Sequence, residues 1–230
     1  MKKITYMLCM FILFGLTGCT LNYNLKVNDD MLIEENLNIL ETNNFLSTVT
    51  LNKEDFINDL INQYSSMDEY VDYNYNTILK SDISGAEANK SFLDFYDYRN
   101  KNLLYKYFFS NIDINEQGDV LSLKFVAVTK NDLFSSNSQE LSTLDNANIS
   151  ISLPFVVISS NADVIDSENN IYTWKYNEDN YNKNIEITFD KNNAFKSKIS
   201  IEMYVLFGII VIFVSTLIYV FYRYKKNSNL

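Results

Sequence analysis

The sequence predicts an α+β fold: a mostly antiparallel sheet with one or two packed helices, plus a C-terminal transmembrane helix. Three observations carry this. Apolar and polar residues alternate over 21–39 and in several later stretches, the pattern of half-buried strands. Asn52, with Asp55 three residues on, precedes apolar residues at helical spacing, a helix start. Residues 203–222 form a run without a single charge, long enough at about 1.5 Å per residue to cross the hydrocarbon of a bilayer.

The elements follow in chain order. Met1-Lys2-Lys3 and the apolar run Met7–Leu16 read as a secretory signal peptide over 1–18, too short to span by itself because about 20 residues are needed. Leu16-Thr17-Gly18-Cys19 resembles the lipobox of bacterial lipoproteins at all four positions. That resemblance implies cleavage before Cys19 and a thioether-linked diacylglycerol on its sulfur.

Leu21, Tyr23, Leu25 and Val27 then share one face, with Asn22, Asn24 and Lys26 on the other. Asn28-Asp29-Asp30 is turn chemistry, and Met31, Ile33, Leu37 and Ile39 resume the apolar pattern, so a hairpin is expected. Because the first strand starts at the lipid, the sheet is expected close to the bilayer. Phe56, Ile57, Leu60, Ile61 and Tyr64 predict an amphipathic helix over Lys53–Ser66. A strand is expected over Tyr75–Ile83, with a turn about Gly85.

Residues 91–109 are dense in Phe and Tyr, and Phe92, Phe95 and Tyr96 are the candidate ligand-binding residues. Asn115–Gly118 reads as a turn, followed by a strand over Val120–Val128 and a polar loop over 129–148. Further strands are expected over Ile149–Ile158, Ile171–Tyr176 and Ile185–Phe189. The domain is thus drawn as 19–190, followed by a linker over 191–202. The spanning helix takes 203–222, and a basic tail, with Arg223, Lys225 and Lys226, takes 223–230. Basic residues stay on the cytoplasmic side, so the domain is expected outside the cell membrane and the C-terminus inside.

Composition excludes much chemistry. All 29 acidic residues but only 14 basic ones lie in 20–202, a formal charge of −15. Such a surface repels nucleic acid phosphates. There is no histidine, and the two cysteines are Cys9, in the signal, and Cys19. Most nucleophile–base pairs and zinc sites are therefore missing. With five glycines there is no phosphate loop. A calcium loop starting at Asp113 would need glutamate at 124, where Lys124 stands. No enzyme, metal or cofactor is expected. The adjacent acids Asp29/Asp30 and Glu34/Glu35 point to opposite faces of a strand and read as solvated edges rather than a catalytic pair.

The layout of lipobox, exposed domain and C-terminal apolar run is similar to that of LppM-type bacterial lipoproteins. So are the opening strand ending in Val27-Asn28-Asp29-Asp30, the stretch Ile149–Pro154, Ser159-Ser160-Asn161-Ala162-Asp163, and Tyr172-Thr173-Trp174-Lys175. The resemblance implies a twisted sheet and an envelope-associated or lipid-like role, and it supplies no catalytic residue. Trp174, with Tyr172 and Tyr176 at period two, is expected in the core. Two functions remain. One is binding of a lipid or other apolar envelope ligand by the 91–109 aromatics. The other is a protein-interaction or scaffold role beside a membrane-protein partner, with the bilayer itself as the first contact.

Overall fold

The computed structural model describes residues 19–43, 46–47, 50, 52–67, 70–105, 107–129, 144–196 and 213–216. The chain divides into two units, Met1–Phe195 and Lys196–Leu230. In the second, residues 213–216 are helical. No helix among the described residues is long and apolar enough to cross a membrane. The rest of the span expected over 203–222 lies outside the described residues, as do the signal peptide and the first three lipobox positions.

The first unit is predominantly β. Its strands are β1 (Cys19–Val27), β2 (Ile33–Thr42), β3 (Asn74–Leu79), β4 (Ile83–Phe92), β5 (Phe109–Gln117) and β6 (Val120–Ala127). They continue with β7 (Leu144–Ser152), β8 (Phe155–Ser160), β9 (Val164–Asp166), β10 (Ile171–Tyr176) and β11 (Ile185–Ala194). Helix α1 (Lys53–Ser65) lies before β3, and the short α2 (Phe95–Tyr98) follows β4. The α+β expectation is thereby corrected. The first sheet runs β3-β4-β2-β1-β7-β10-β9 and the second β5-β6-β11-β8, and the two share one hydrophobic core. A second sheet, not a helical layer, covers the first.

Expected alternation becomes real burial in β1 and β2. Leu21, Tyr23, Leu25, Val27, Ile33 and Leu37 are buried, and the two strands pair antiparallel around the turn at 28–32. Strand β1 is not an edge: β7 runs parallel along its other side. Helix α1 begins as expected, with Asn52 Oδ1 accepting from the Asp55 backbone N–H at 3.3 Å.

The chain changes sheets at Leu153-Pro154, so the strand expected over Ile149–Ile158 is two strands in two sheets. Proline removes a ladder donor and suits such a corner. Buried Asn170 holds the corner by donating from Nδ2 to the carbonyls of Leu153 and Phe155, both at 2.7 Å.

Gly85 is a second correction. It sits inside β4 rather than at a turn. A Cβ there would lie 1.9 Å from the Ile39 carbonyl oxygen, so the glycine permits close approach of two backbones. Of the turn expected over Asn115–Gly118, Asn115, Glu116 and Gln117 are the end of β5, paired with β6, and the turn itself is Gly118-Asp119, with Gly118 at φ 62°.

Candidate functional site

Of the three aromatic candidates, Phe92 and Phe95 are core residues at 2% exposure, whereas Tyr96 is exposed on the other side of α2. The α2 helix is capped by Asp94, whose Oδ1 accepts from Asp97 N at 2.8 Å. It turns Phe95 and Tyr98 inward together. Their rings interlock: Phe92 meets Tyr98 edge-on at 5.4 Å, Phe109 meets Phe125 at 5.3 Å, and Phe108 meets Tyr176 at 5.9 Å. The segment joins the two sheets. Cys19, the lipidation candidate, is the first residue of β1.

Beneath these rings lies a group the sequence reading placed on the surface. Glu35 is 1% exposed. Its carboxylate accepts from the Tyr23 hydroxyl at 2.7 Å, the Tyr73 hydroxyl at 2.6 Å and the Leu103 backbone N–H at 2.8 Å. Tyr23 also touches the Tyr98 hydroxyl at 2.6 Å. A hydroxyl has one proton; with that of Tyr23 on Glu35, Tyr98 is the donor in this contact. Lys90 is the cross-strand partner of Glu35; its Nζ lies 4.8 Å from the Tyr73 ring centre and 3.7 Å from Asp72 Oδ2.

Burial pushes the Glu35 carboxyl up to about 7, against the pull of the Tyr73, Leu103 and Tyr23 hydrogen bonds and of Lys90. Burial, and then the Glu35 charge, push the Tyr23, Tyr73 and Tyr98 hydroxyls upward. At 1% exposure the cluster does not meet a substrate. Its chemistry is structural: it fastens the loop at Leu103 to the centre of the first sheet. The signal was legible in the sequence, because Glu35 shares strand parity with Ile33 and Leu37.

An open concavity lies elsewhere. A trough of about 580 Å³ lies on the outer face of the second sheet. Strand register lays down two rows. One is Asp113–Lys124–Glu186; the other is Asn115–Ser122–Thr188–Ser159. Lys124 Nζ lies 2.9 Å from Glu186 Oε1, and the Ser122 and Thr188 hydroxyls are 3.0 Å apart. Asn161 closes one end: its Oδ1 accepts from the Trp174 indole N–H at 2.7 Å and from Glu186 N at 2.8 Å. The β5–β6 hairpin, β8 and β11 meet here from three separate stretches of the chain, which alternation within any one of them does not reveal. Among the described residues, no group of three or more Cys, Asp or Glu is arranged to hold a metal ion.

No family model matches the chain, and no curated protein matches it. Among solved structures, it is similar to the folded domain of LppM from Mycobacterium tuberculosis. That likeness has a TM-score of 0.49 at 14% identity and covers 76% of this chain and 92% of that one. It is a distant similarity of backbone layout, and nothing about function is taken from it.

Proposed function

We propose that the chain is a non-enzymatic, extracytoplasmic binding domain tethered through lipid on Cys19. In this reading it meets its partner on the polar trough of the second sheet. The observation that carries this is how the surfaces divide. The rings at Phe92 and Phe95 are used up in the core, while the trough presents hydroxyl, amide and charged groups to solvent. An apolar ligand needs an apolar cavity; a trough with Lys124 between two acids suits a polar segment of a protein that itself donates and accepts hydrogen bonds. This favours the interaction-domain reading over the lipid-carrier one. The absence of histidine and the sealing of Glu35 from solvent support a role without catalysis.

The tether and the trough are tested separately. Intact mass of the mature chain from membranes is expected to give Cys19 as the first residue, carrying a diacylglyceryl group that Cys19→Ala abolishes. An unmodified Cys19 sinks the tether. For the trough, a photoreactive residue at Thr188 is expected to give one dominant adduct in cells, and the same residue at exposed Leu79, on the first sheet, is expected to give none. Equal labelling at both positions rejects the trough.

A further inference from the structure

Strands disfavour asparagine, yet eight asparagines stand in two adjacent rows on the outer face of the first sheet. One row crosses six strands as Asn74, Asn89, Asn36, Asn24, Ser150 and Thr173. The next runs Asn76, Glu87, Asn38, Asn22, Asn148 and Lys175. The residues between them in each strand, such as Tyr23, Leu37, Ile149 and Trp174, face the core. Asn36 is the hub: its Nδ2 donates to Glu87 and Asn89, both at 2.6 Å, and its Oδ1 accepts from Asn38 at 2.6 Å. Asn148 donates to Asn22 at 3.0 Å, and Ser150 and Thr173 are 2.8 Å apart.

Solubility alone does not ask for this pattern, since threonine is polar and strands favour it. An amide carries two donor hydrogens and a two-lone-pair acceptor. Asn36 spends its own on its neighbours, whereas amides such as Asn22 and Asn148, which share one hydrogen bond, hold a neighbour and keep hydrogen-bonding capacity for a ligand above the sheet. Cross-linking by neighbours also fixes the side chains in advance, which lowers the cost of binding.

We propose that this amide plane docks an extended, uncharged glycan laid across the strands. Strands are about 4.8 Å apart, close to the advance per sugar of a fully extended chain, so one polar side chain of a row would meet each sugar, an amide at four of the six strands. Six strands give a row of about 24 Å. The face itself is nearly neutral: Glu87 is offset by Lys175 on the same row, and Lys26 and Glu34 on the next row pair at 3.1 Å. The chain as a whole carries −10, which disfavours acidic polymers. This face belongs to a different sheet from the trough, and the proposal stands without it.

The test is co-sedimentation of the full chain, in detergent micelles, with insoluble chitin and with cellulose. Retention on chitin alone assigns the plane to acetamido sugars; retention on both assigns it to hydroxyls shared by neutral glycans. Changing Asn24, Asn38 and Asn89 together to threonine is expected to weaken retention roughly tenfold or more, with the thermal midpoint unchanged or raised. Lys124→Ala, in the trough, is expected to leave retention unchanged. If the triple variant does not fold, Asn24→Thr and Asn38→Thr are read singly, each expected to weaken retention. No retention of the parent on either polymer, or parental retention by the folded variants, overturns the proposal.

Discussion

Replacing Glu35 by alanine is expected to cost about 2–6 kcal/mol, from two buried donors each left unpaired at about 1–3 kcal/mol. The Tyr23 hydroxyl and the Leu103 N–H would lose their acceptor while still sealed from water, and each buried unpaired donor is costly. Tyr73 suffers less, because its hydroxyl also lies 3.0 Å from the Lys101 carbonyl. That same contact gives the cluster a second arrangement. When Glu35 takes a proton, Tyr73 can donate to Lys101 and accept from Glu35, so the neutral carboxyl is accommodated without an orphaned group.

The pH dependence follows with a definite sign. The Glu35 carboxyl is raised from 4.5 to about 7 in the folded chain, so the folded state binds this proton more tightly than the unfolded state. Its contribution is fully present below 4.5 and is lost as pH rises toward 7, by about 3 kcal/mol at 1.36 kcal/mol per unit. Glu34, Glu87, Asp97, Asp163 and Asp166 are shifted down and act in the opposite sense, losing stability as pH falls. The difference between the parent and Glu35→Gln therefore isolates Glu35. The parent should lose stability relative to Glu35→Gln between pH 5 and 7 in urea titrations, with no further divergence above. Parallel curves across that window would show that the carboxyl is not held in a perturbed state.

The hairpin β1–β2, the start of α1 and strand β10 were readable because each is a local pattern with one buried face. Lys53–Ser65 and Ile171–Tyr176 lie within a residue of their expected bounds. What escaped was non-local. Strand β5 is polar on its solvent side, so only its pairing with β6 identifies it. Gly85 reads as a turn until the Ile39 backbone is seen against it. The α+β class was inferred from one helix, and nothing in the alternation of a strand says whether a helix or a second sheet covers it. The aromatic segment was rightly seen as unusual, but ring density cannot distinguish a core that joins two sheets from the wall of a cleft. The trough needed four strand registers at once, whereas Glu35 needed only the parity of one strand and was legible all along.

Trp174 links that core to the trough, and its replacement has the second large expected effect. The indole is fully buried, and truncation to alanine should cost about 3–5 kcal/mol. Trp174→Phe separates packing from hydrogen bonding. It keeps most of the apolar volume but leaves Asn161 Oδ1 without its indole donor, at about 1 kcal/mol. Asn161 would still accept from Glu186 N at 2.8 Å and donate to the Asn184 carbonyl at 2.9 Å, so the loop should stay in place while the amide loses one of three restraints. If the trough is the partner surface, Trp174→Phe should weaken the Thr188 adduct while chemical denaturation shows only a small loss of stability. An unchanged adduct in Trp174→Phe would mean that Asn161 is held well enough by the second sheet alone. The indole would then matter for the fold but not for recognition. A lost adduct together with a near-parental midpoint would mean the reverse: a core side chain sets the geometry of a surface it never reaches.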